Sequence, residues 1–220
     1  MPRLTALLVL VAACGAEQPA PNAEFKRFMA EVVAAHDFAG AVVVMRGDAV
    51  VYEGAWGLAN REEGVAFTPD TPIDGGSLAK TFTAAGIWQL HAEGRLSVDA
   101  PVATYVPEFP HRQTTVRHLL SHSAGLPDLD DPTGLTNLDI VVALDSMPRF
   151  EPGSRFSYCN ECYDALALVT ERVIGQHWSE WLAERFFAPN GLDAAFLRPA
   201  RLADWSGTRT RSYRATPDSV

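Results

Sequence analysis

The sequence predicts an α+β fold, with an antiparallel sheet flanked by helices and a mainly helical subdomain behind it. Three observations predict this. An amphipathic segment near the N-terminus leads into two β-branched runs around a short turn. From residue 78 onward, apolar residues recur at helical spacing, with capping residues ahead of them and Gly or Pro behind. The connections between those segments are rich in Pro, Gly and Asp, with no internal repeat or low-complexity tract. Composition agrees: the 220 residues are 47% hydrophobic and 20% charged, a globular balance. A formal charge of -9 lacks the basic footprint that nucleic-acid binding requires.

Residues 1–21 read as an export signal and tether. Arg3 precedes an apolar run, Ala6 to Ala13, too short to span a bilayer. Small residues stand ahead of Cys14 in Val11-Ala12-Ala13-Cys14-Gly15, as in a bacterial lipobox, where the cysteine becomes the lipidated first residue. Ordinary cleavage after Ala16 is the alternative. The expected location is the cell envelope or periplasm, with membrane contact only through a lipid anchor at Cys14.

Residues 22–85 form the N-terminal part of the α/β region. Phe25, Phe28, Val32 and Ala35 share one face, so Ala23 to Phe38 is expected to be a helix. Gly40 to Met45 and Ala49 to Tyr52 flank Arg46-Gly47-Asp48 and predict a hairpin, its second run continuing through Gly54, Trp56 and Gly57. Polar, proline-bearing sequence from Asn60 to Asp74 leads to Gly75-Gly76. From Leu78 to Leu90 every face is apolar (Leu78, Phe82, Ala85, Ile87, Trp88, Leu90), the mark of a helix buried all round, with Gly94 at its end.

Residues 86–200 read as the helical subdomain. Thr115 can cap Val116 to His122, and Asn137 can cap Leu138 to Leu144. Tyr163 to Ile174 carries Leu166, Val169 and Val173, with Gly175 at its end. Ser179 can cap Glu180 to Ala188, which Pro189 stops. Residues 201–220 would begin a return to the sheet.

The chemistry concentrates at Ser77-Leu78-Ala79-Lys80. Serine is a weak nucleophile that needs a neighbouring base. On a helix starting at Ser77, Lys80 stands one turn above the hydroxyl, and the helix aims its free N–H groups at it. The chain has 16 Arg and only two Lys, Lys26 and Lys80. Arginine cannot act as a base, whereas lysine can lose its proton when desolvated. The bland alternative is a capping serine with a solvated lysine. An acylating serine also needs a proton path to the leaving group. Tyr158-Cys159-Asn160 offers one, because a nearby ammonium lowers a phenol's pKa and a phenolate is a competent base. Asn160 could hold Lys80 and donate to a substrate amide.

Four segments together resemble the serine β-lactamase-related family, which includes class C β-lactamases, D-alanyl-D-alanine carboxypeptidases and esterases. They are Gly76-Ser-Leu-Ala-Lys-Thr-Phe-Thr83, Leu90-His-Ala-Glu-Gly-Arg-Leu-Ser-Val-Asp99, Leu119-Leu-Ser-His-Ser-Ala-Gly-Leu126 and Pro152-Gly-Ser-Arg-Phe-Ser-Tyr-Cys-Asn160. The resemblance implies a β-lactamase/transpeptidase-like fold. It implies that Ser77 is the acyl-forming nucleophile, Lys80 its activating partner, Tyr158 the general base and acid, and Asn160 a substrate-binding residue. The Ser77 N–H would supply half of an oxyanion hole. The family's third motif, Lys-Thr-Gly or His-x-Gly on a later strand, has no candidate in this sequence, so the C-terminal strands are expected to be missing.

Other residues carry weaker chemistry. Cys159 and Cys162 are either two small buried residues, a local disulfide or a redox pair; no second Cys pair completes a zinc site. His118 and His122 stand four apart without a third ligand in register, which favours a hydrogen-bonded loop histidine over a metal. No Gly-x-Ser-x-Gly elbow is present. Asp128, Asp130 and Asp131 read as a solvated turn, the five Trp as core or rim residues, and Arg198 to Arg214 as a solvated flank. No cofactor or metal is called for. The expectation is a serine hydrolase acting on a small-molecule or peptide amide or ester (a β-lactam, a D-Ala-D-Ala-type peptide or a small ester). The rivals are a non-catalytic envelope lipoprotein of the same family and, more weakly, a redox protein using the two cysteines.

Overall fold

A computed structural model describes residues 21–130, 132–145, 148–192, 194–195 and 210–211. The expected signal and lipobox, Asp131, Trp205 and most of the Arg198 to Arg214 flank lie outside the described residues. The chain divides into two compact units, residues 1–73 with 208–220, and residues 74–207. The division falls ahead of the boundary expected at Ala85, so Ser77 and Lys80 belong with the helical unit.

In the first unit, helix α1 (Pro21–His36) precedes an antiparallel hairpin of β1 (Gly40–Arg46) and β2 (Ala49–Trp56). The register pairs Gly40 with Trp56 and Arg46 with Ala49, with a bulge at Val44/Met45. Gly47 turns the hairpin at φ +58°, a conformation glycine adopts without steric cost. A lone hairpin is marginal in water and needs a helix against it. Here α1 supplies that cover: Phe25 stacks on Tyr52 at 5.8 Å between ring centroids, and Tyr52 stacks on Trp56 at 6.3 Å. A second small pair, β3 (Leu58–Asn60) with β4 (Val65–Ala66), forms where the sequence reads only as polar loop. Both strands are too short to show alternation. The two described C-terminal residues bond to this unit, Thr210 N–H to Pro72 O and Arg211 N–H to Ala59 O.

The second unit holds α2 (Ala79–Ala92), α3 (Val116–Leu120), α4 (Asn137–Ala143), α5 (Glu161–Ile174) and α6 (Trp178–Leu182). Helix α5 is its hub and packs on the other four. Ile87 and Leu90 of α2, Val116 and Leu119 of α3, Val141 of α4, and Leu166 and Val169 of α5 are fully buried in one core. The long connection from α2 to α3 adds Val98, Val102, Val106 and Phe109. Among the described residues no helix is long and apolar enough to cross a membrane.

Three expectations are corrected. Helix α2 is not buried all round: Thr83, Gly86, Ile87 and Leu90 face the core, whereas Leu78 is 71% exposed and Trp88 44%. Part of its seam is a glycine. A Cβ at Gly86 would come within 2.9 Å of the Trp181 ring, so α6 approaches α2 closely only because that atom is missing. Thr136, not Asn137, caps α4, its hydroxyl accepting from Asp139 N–H at 3.2 Å while Asp139 accepts from Thr136 N–H at 2.9 Å. His177, not Ser179, caps α6, whose continuation widens at Ala183–Phe187 and tightens at Ala188–Asn190. The C-terminal end of α2 and the start of α3 follow the sequence, whereas α3 stops at Leu120 and not at His122. Gly94 lies at φ +71°, with Gly94 N–H bonded to His91 O and Arg95 N–H to Leu90 O, a Schellman stop. Thr115 caps α3 in a box with His118.

Leu166 is fully buried at the centre of α5. Leu166→Ala should lower the unfolding free energy by about 2–5 kcal/mol, read from urea denaturation.

Candidate active site

The site forms where the start of α2 meets the start of α5. Asp74 Oδ1 accepts from Gly76 N–H at 2.9 Å, and Gly76 takes φ +50°. The chain then makes one tight 3-10 turn, Gly76–Leu78, before α2 begins at Ala79. Ser77 therefore lies on that turn and not on the first residue of a regular α-helix. The one-turn offset to Lys80 survives: Lys80 Nζ donates to Ser77 Oγ at 3.3 Å.

The second half comes from residues 158–160, which run into α5. The Tyr158 hydroxyl and Ser77 Oγ share a hydrogen bond of 2.6 Å across 81 residues of sequence. Lys80 Nζ also donates to Asn160 Oδ1 at 2.9 Å. Its cation lies 5.1 Å from the Tyr158 ring centroid and 5.6 Å from that of Tyr163. Ser77, Lys80, Tyr158 and Asn160 are thus all brought together, and all four belong to the second unit.

The electrostatics suit proton transfer. The Ser77 hydrogen bond, then that of Lys80, hold the Tyr158 phenol below its ordinary value, and burial opposes them. A phenol whose ionised form is favoured this way can accept a proton from the hydroxyl it touches. Tyr163 behaves oppositely: burial raises its pKa, and Tyr158 adds to the rise. The two tyrosines are thereby pushed in opposite directions, Tyr158 towards its ionised form and Tyr163 away from it.

Some neighbours carry no signal in the sequence. Glu161 is 3% exposed; one oxygen accepts from Leu129 N–H at 2.9 Å and the other has no partner. One helical turn after Asn160 stands Asp164. Burial pushes its carboxyl up to about 6, the nearby Glu161 adds to this and Lys80 opposes it. The i, i+4 spacing from Asn160 could have drawn attention to Asp164, but nothing in the sequence announces its burial. The structure joins Cys159 and Cys162 in a disulfide within the same turn. His118 and His122 do not converge. His118 Nδ1 accepts from Thr115 N–H in the α3 cap, and His122 Nδ1 accepts from Cys159 N–H.

A family model described as Beta-lactamase matches residues 25–220. The chain belongs to the beta-lactamase family. Curated relatives of this beta-lactamase-family chain include penicillin-binding protein 4 of Amycolatopsis lactamdurans, 32% identical over 181 residues, and the D-aminopeptidase of Brucella anthropi, 32% identical over 171 residues. These matches cover 74% and 73% of the chain but only 46% and 33% of the relatives. The octameric penicillin-binding protein homologue from Pyrococcus abyssi superposes with a TM-score of 0.74 at 28% identity, covering 89% of this chain and 48% of that one. The penicillin binding protein from Bacillus halodurans gives 0.71 at 26% identity, covering 86% and 63%. The β-lactamase/transpeptidase-like α+β fold expected from the four motifs is the fold of this beta-lactamase-family chain.

Asp164 gives the site a pH signature in stability. Its folded pKa of about 6 exceeds the ordinary 3.8, so folding disfavours its charged form. That cost is fully present above pH 6 and disappears below the ordinary value. Asp164→Asn should therefore raise the unfolding free energy at pH 8, by about 1–3 kcal/mol, and leave it unchanged at pH 3. Urea denaturation at the two pH values measures the difference.

Proposed function

We propose that this chain carries the acylating centre of a serine hydrolase, with Ser77 as nucleophile, acting on an amide or ester. The observation that carries the reading is the 2.6 Å contact between Ser77 Oγ and the Tyr158 hydroxyl, with Lys80 Nζ on the same oxygen, in a chain of the beta-lactamase family. Tyr158 as phenolate takes the Ser77 proton while Oγ attacks the carbonyl carbon. The developing oxyanion is received by backbone donors, the Ser77 N–H among them. Tyr158 returns the proton to the leaving amine or alcohol, and an ester on Ser77 remains. Water, deprotonated by the same phenolate, then attacks the ester carbonyl; the bond to Ser77 Oγ breaks, Tyr158 returns the proton to Oγ, and the acid leaves. Lys80 keeps Tyr158 ionisable, and Asn160 holds Lys80 while its amide faces the substrate. The chain spans a third to just under half of the relatives named above, whose names include a penicillin-binding protein and a D-aminopeptidase. The proposed substrates are accordingly a β-lactam, a D-Ala-D-Ala-type peptide or a small ester.

A fluorescent penicillin and a fluorophosphonate, with adduct mapping by mass spectrometry, test this. The expected adduct is on Ser77 alone and is lost in Ser77→Ala. Tyr158→Phe should slow labelling by about 10²–10⁴-fold. The labelling rate should rise with pH through a midpoint below the ordinary phenol value of 10, since the phenolate is the active form and its pKa is lowered. A folded sample that takes no label would count for a ligand-binding relative without acyl chemistry, and a label that survives Ser77→Ala would count against Ser77 as the nucleophile.

The reading of residues 1–21 as an export signal extends the proposal to location. It puts the chain in the envelope, lipid-anchored at Cys14. Cys14→Ser should move the expressed protein from the membrane to the soluble fraction, which cell fractionation reads directly.

A further inference from the structure

His122 takes no part in the proton path described above, yet it stacks on the Tyr158 ring and bonds to both of its chain neighbours. Its backbone lies at φ +52°, and among the described residues only Asp37 is another non-glycine with positive φ. Such a conformation in a ring-bearing residue is held by its surroundings and is concentrated at functional sites. Both peptide neighbours of Tyr158 bond to it: Ser157 N–H to the His122 carbonyl at 2.8 Å, and Cys159 N–H to Nδ1 at 3.1 Å. Its ring stacks on the Tyr158 ring at 4.5 Å between centroids and 26° between planes. Tyr163 backs the imidazole at 5.1 Å and is itself fixed through its hydroxyl, which donates to Leu120 O at 3.1 Å.

We propose that His122, as the neutral tautomer with its proton on Nε2, is the positioning residue for Tyr158, clamping both of its peptide flanks and one ring face so that the phenol meets Ser77 Oγ. This rests on the reading of Ser77 and Tyr158 as the acylating pair. The tautomer follows from the contacts. Cys159 N–H requires a lone pair on Nδ1, and an imidazolium has none to offer, since both of its nitrogens donate. The titratable groups facing the ring are Lys80 of α2, Tyr158 itself and Tyr163 of α5. Burial first, and the Lys80 cation second, hold His122 below the ordinary 6.5 against an opposing contribution at the Cys159 backbone, and so favour the neutral ring near pH 7. In acid, protonation sets one donor against another at the Cys159 bond and frees the Tyr158 flank. The clamp thus opens as pH falls through the His122 midpoint.

The test pairs fluorophosphonate labelling of Ser77 with NMR of the imidazole and tyrosine rings in the full chain. His122→Phe keeps a ring under Tyr158 but no acceptor; it should label about 10–100-fold more slowly, the scale expected for a misplaced catalytic group. His122→Asn keeps an acceptor oxygen and suits a left-handed backbone, and it should recover most of that loss. Beneath the Tyr158 rise, the acid limb (the further fall in labelling as pH drops through the His122 midpoint) should be lost in His122→Asn and retained in Asp164→Asn, which separates it from the carboxyl that titrates near 6. In the wild-type chain, Nδ1 should resonate as an unprotonated nitrogen, and the Tyr158 ring signals should shift together with the His122 titration. Wild-type labelling rates from His122→Phe with a native circular dichroism spectrum would overturn the proposal. So would an acid limb unchanged in His122→Asn, or Tyr158 signals that ignore the His122 titration. If His122→Phe does not fold, the Asn variant and the wild-type spectra decide. If folded wild-type protein takes no label at Ser77, the acylation reading fails alone, and the NMR arm still decides whether His122 holds Tyr158.

Discussion

Helix α5 is packed by α2, α3, α4 and α6, and Cys162, Ala165, Leu166 and Val169 along it are fully buried. Each fully buried side chain of Leu or Val size contributes about 1.5–3 kcal/mol. That burial fixes where the helix begins, and the beginning is what matters. Asn160 stands at its first turn, with Tyr158 two residues earlier. Helix α2 brings Ser77 and Lys80 to the same place, and the chain leaving α3 brings His122. The hydrogen bond between residues 77 and 158 thus joins two segments that the buried helices α2 and α5 carry together.

The site achieves its electrostatics with few charges. Lys80 is the one cation among the four clustered side chains, and it serves three neighbours: Ser77 Oγ, Asn160 Oδ1 and the face of Tyr158. The Tyr158 pKa is lowered by its hydrogen bonds to Ser77 and Lys80 and by the Lys80 charge, and burial, which would raise it, is limited because the residue remains 45% exposed. Asp164 shows the reverse case close by, where burial works against ionisation. A carboxyl that is partly protonated near pH 6 beside Lys80 ties the charge state of the site to acidity on two independent groups, one on α5 and one on the loop after α3.

Much of this was legible in the sequence because local rules carried it. Thr115 and Gly94 fix helix ends through bonds within a few residues of themselves, and the hairpin about Gly47 follows from two β-branched runs and one turn. The four residues of the site were legible as types: only Lys among the cations can release a proton, and Ser, Tyr and Asn complete the chemistry. The failures have a common cause. The apolar pattern of Leu78 to Leu90 hides that Leu78 and Trp88 are exposed while Gly86 is the contact. Asn137 and Thr136 are both good caps, and only the reciprocal bonds with Asp139 choose between them. His122 was visible as a loop histidine, but its positive φ and its stack under Tyr158 depend on α3 and α5 meeting, which no local pattern encodes. The burial of Glu161 and Asp164 is likewise a property of the assembled helices.

The residues of the candidate site, their backing ring and the helices that aim them all fall within residues 74–192, while the hairpin of β1 and β2 belongs to the other unit. Selection can therefore act on the two parts with different stringency. The hairpin adds to the stability of its own unit and supplies none of Ser77, Lys80, Tyr158 and Asn160. A change at Leu120, Cys159 or Tyr163 reaches the reacting hydroxyls within one or two bonds of contact. Divergence in lineages carrying this chain should accordingly be uneven, fast in strand side chains and slow in the loop after α3 and the first turn of α5.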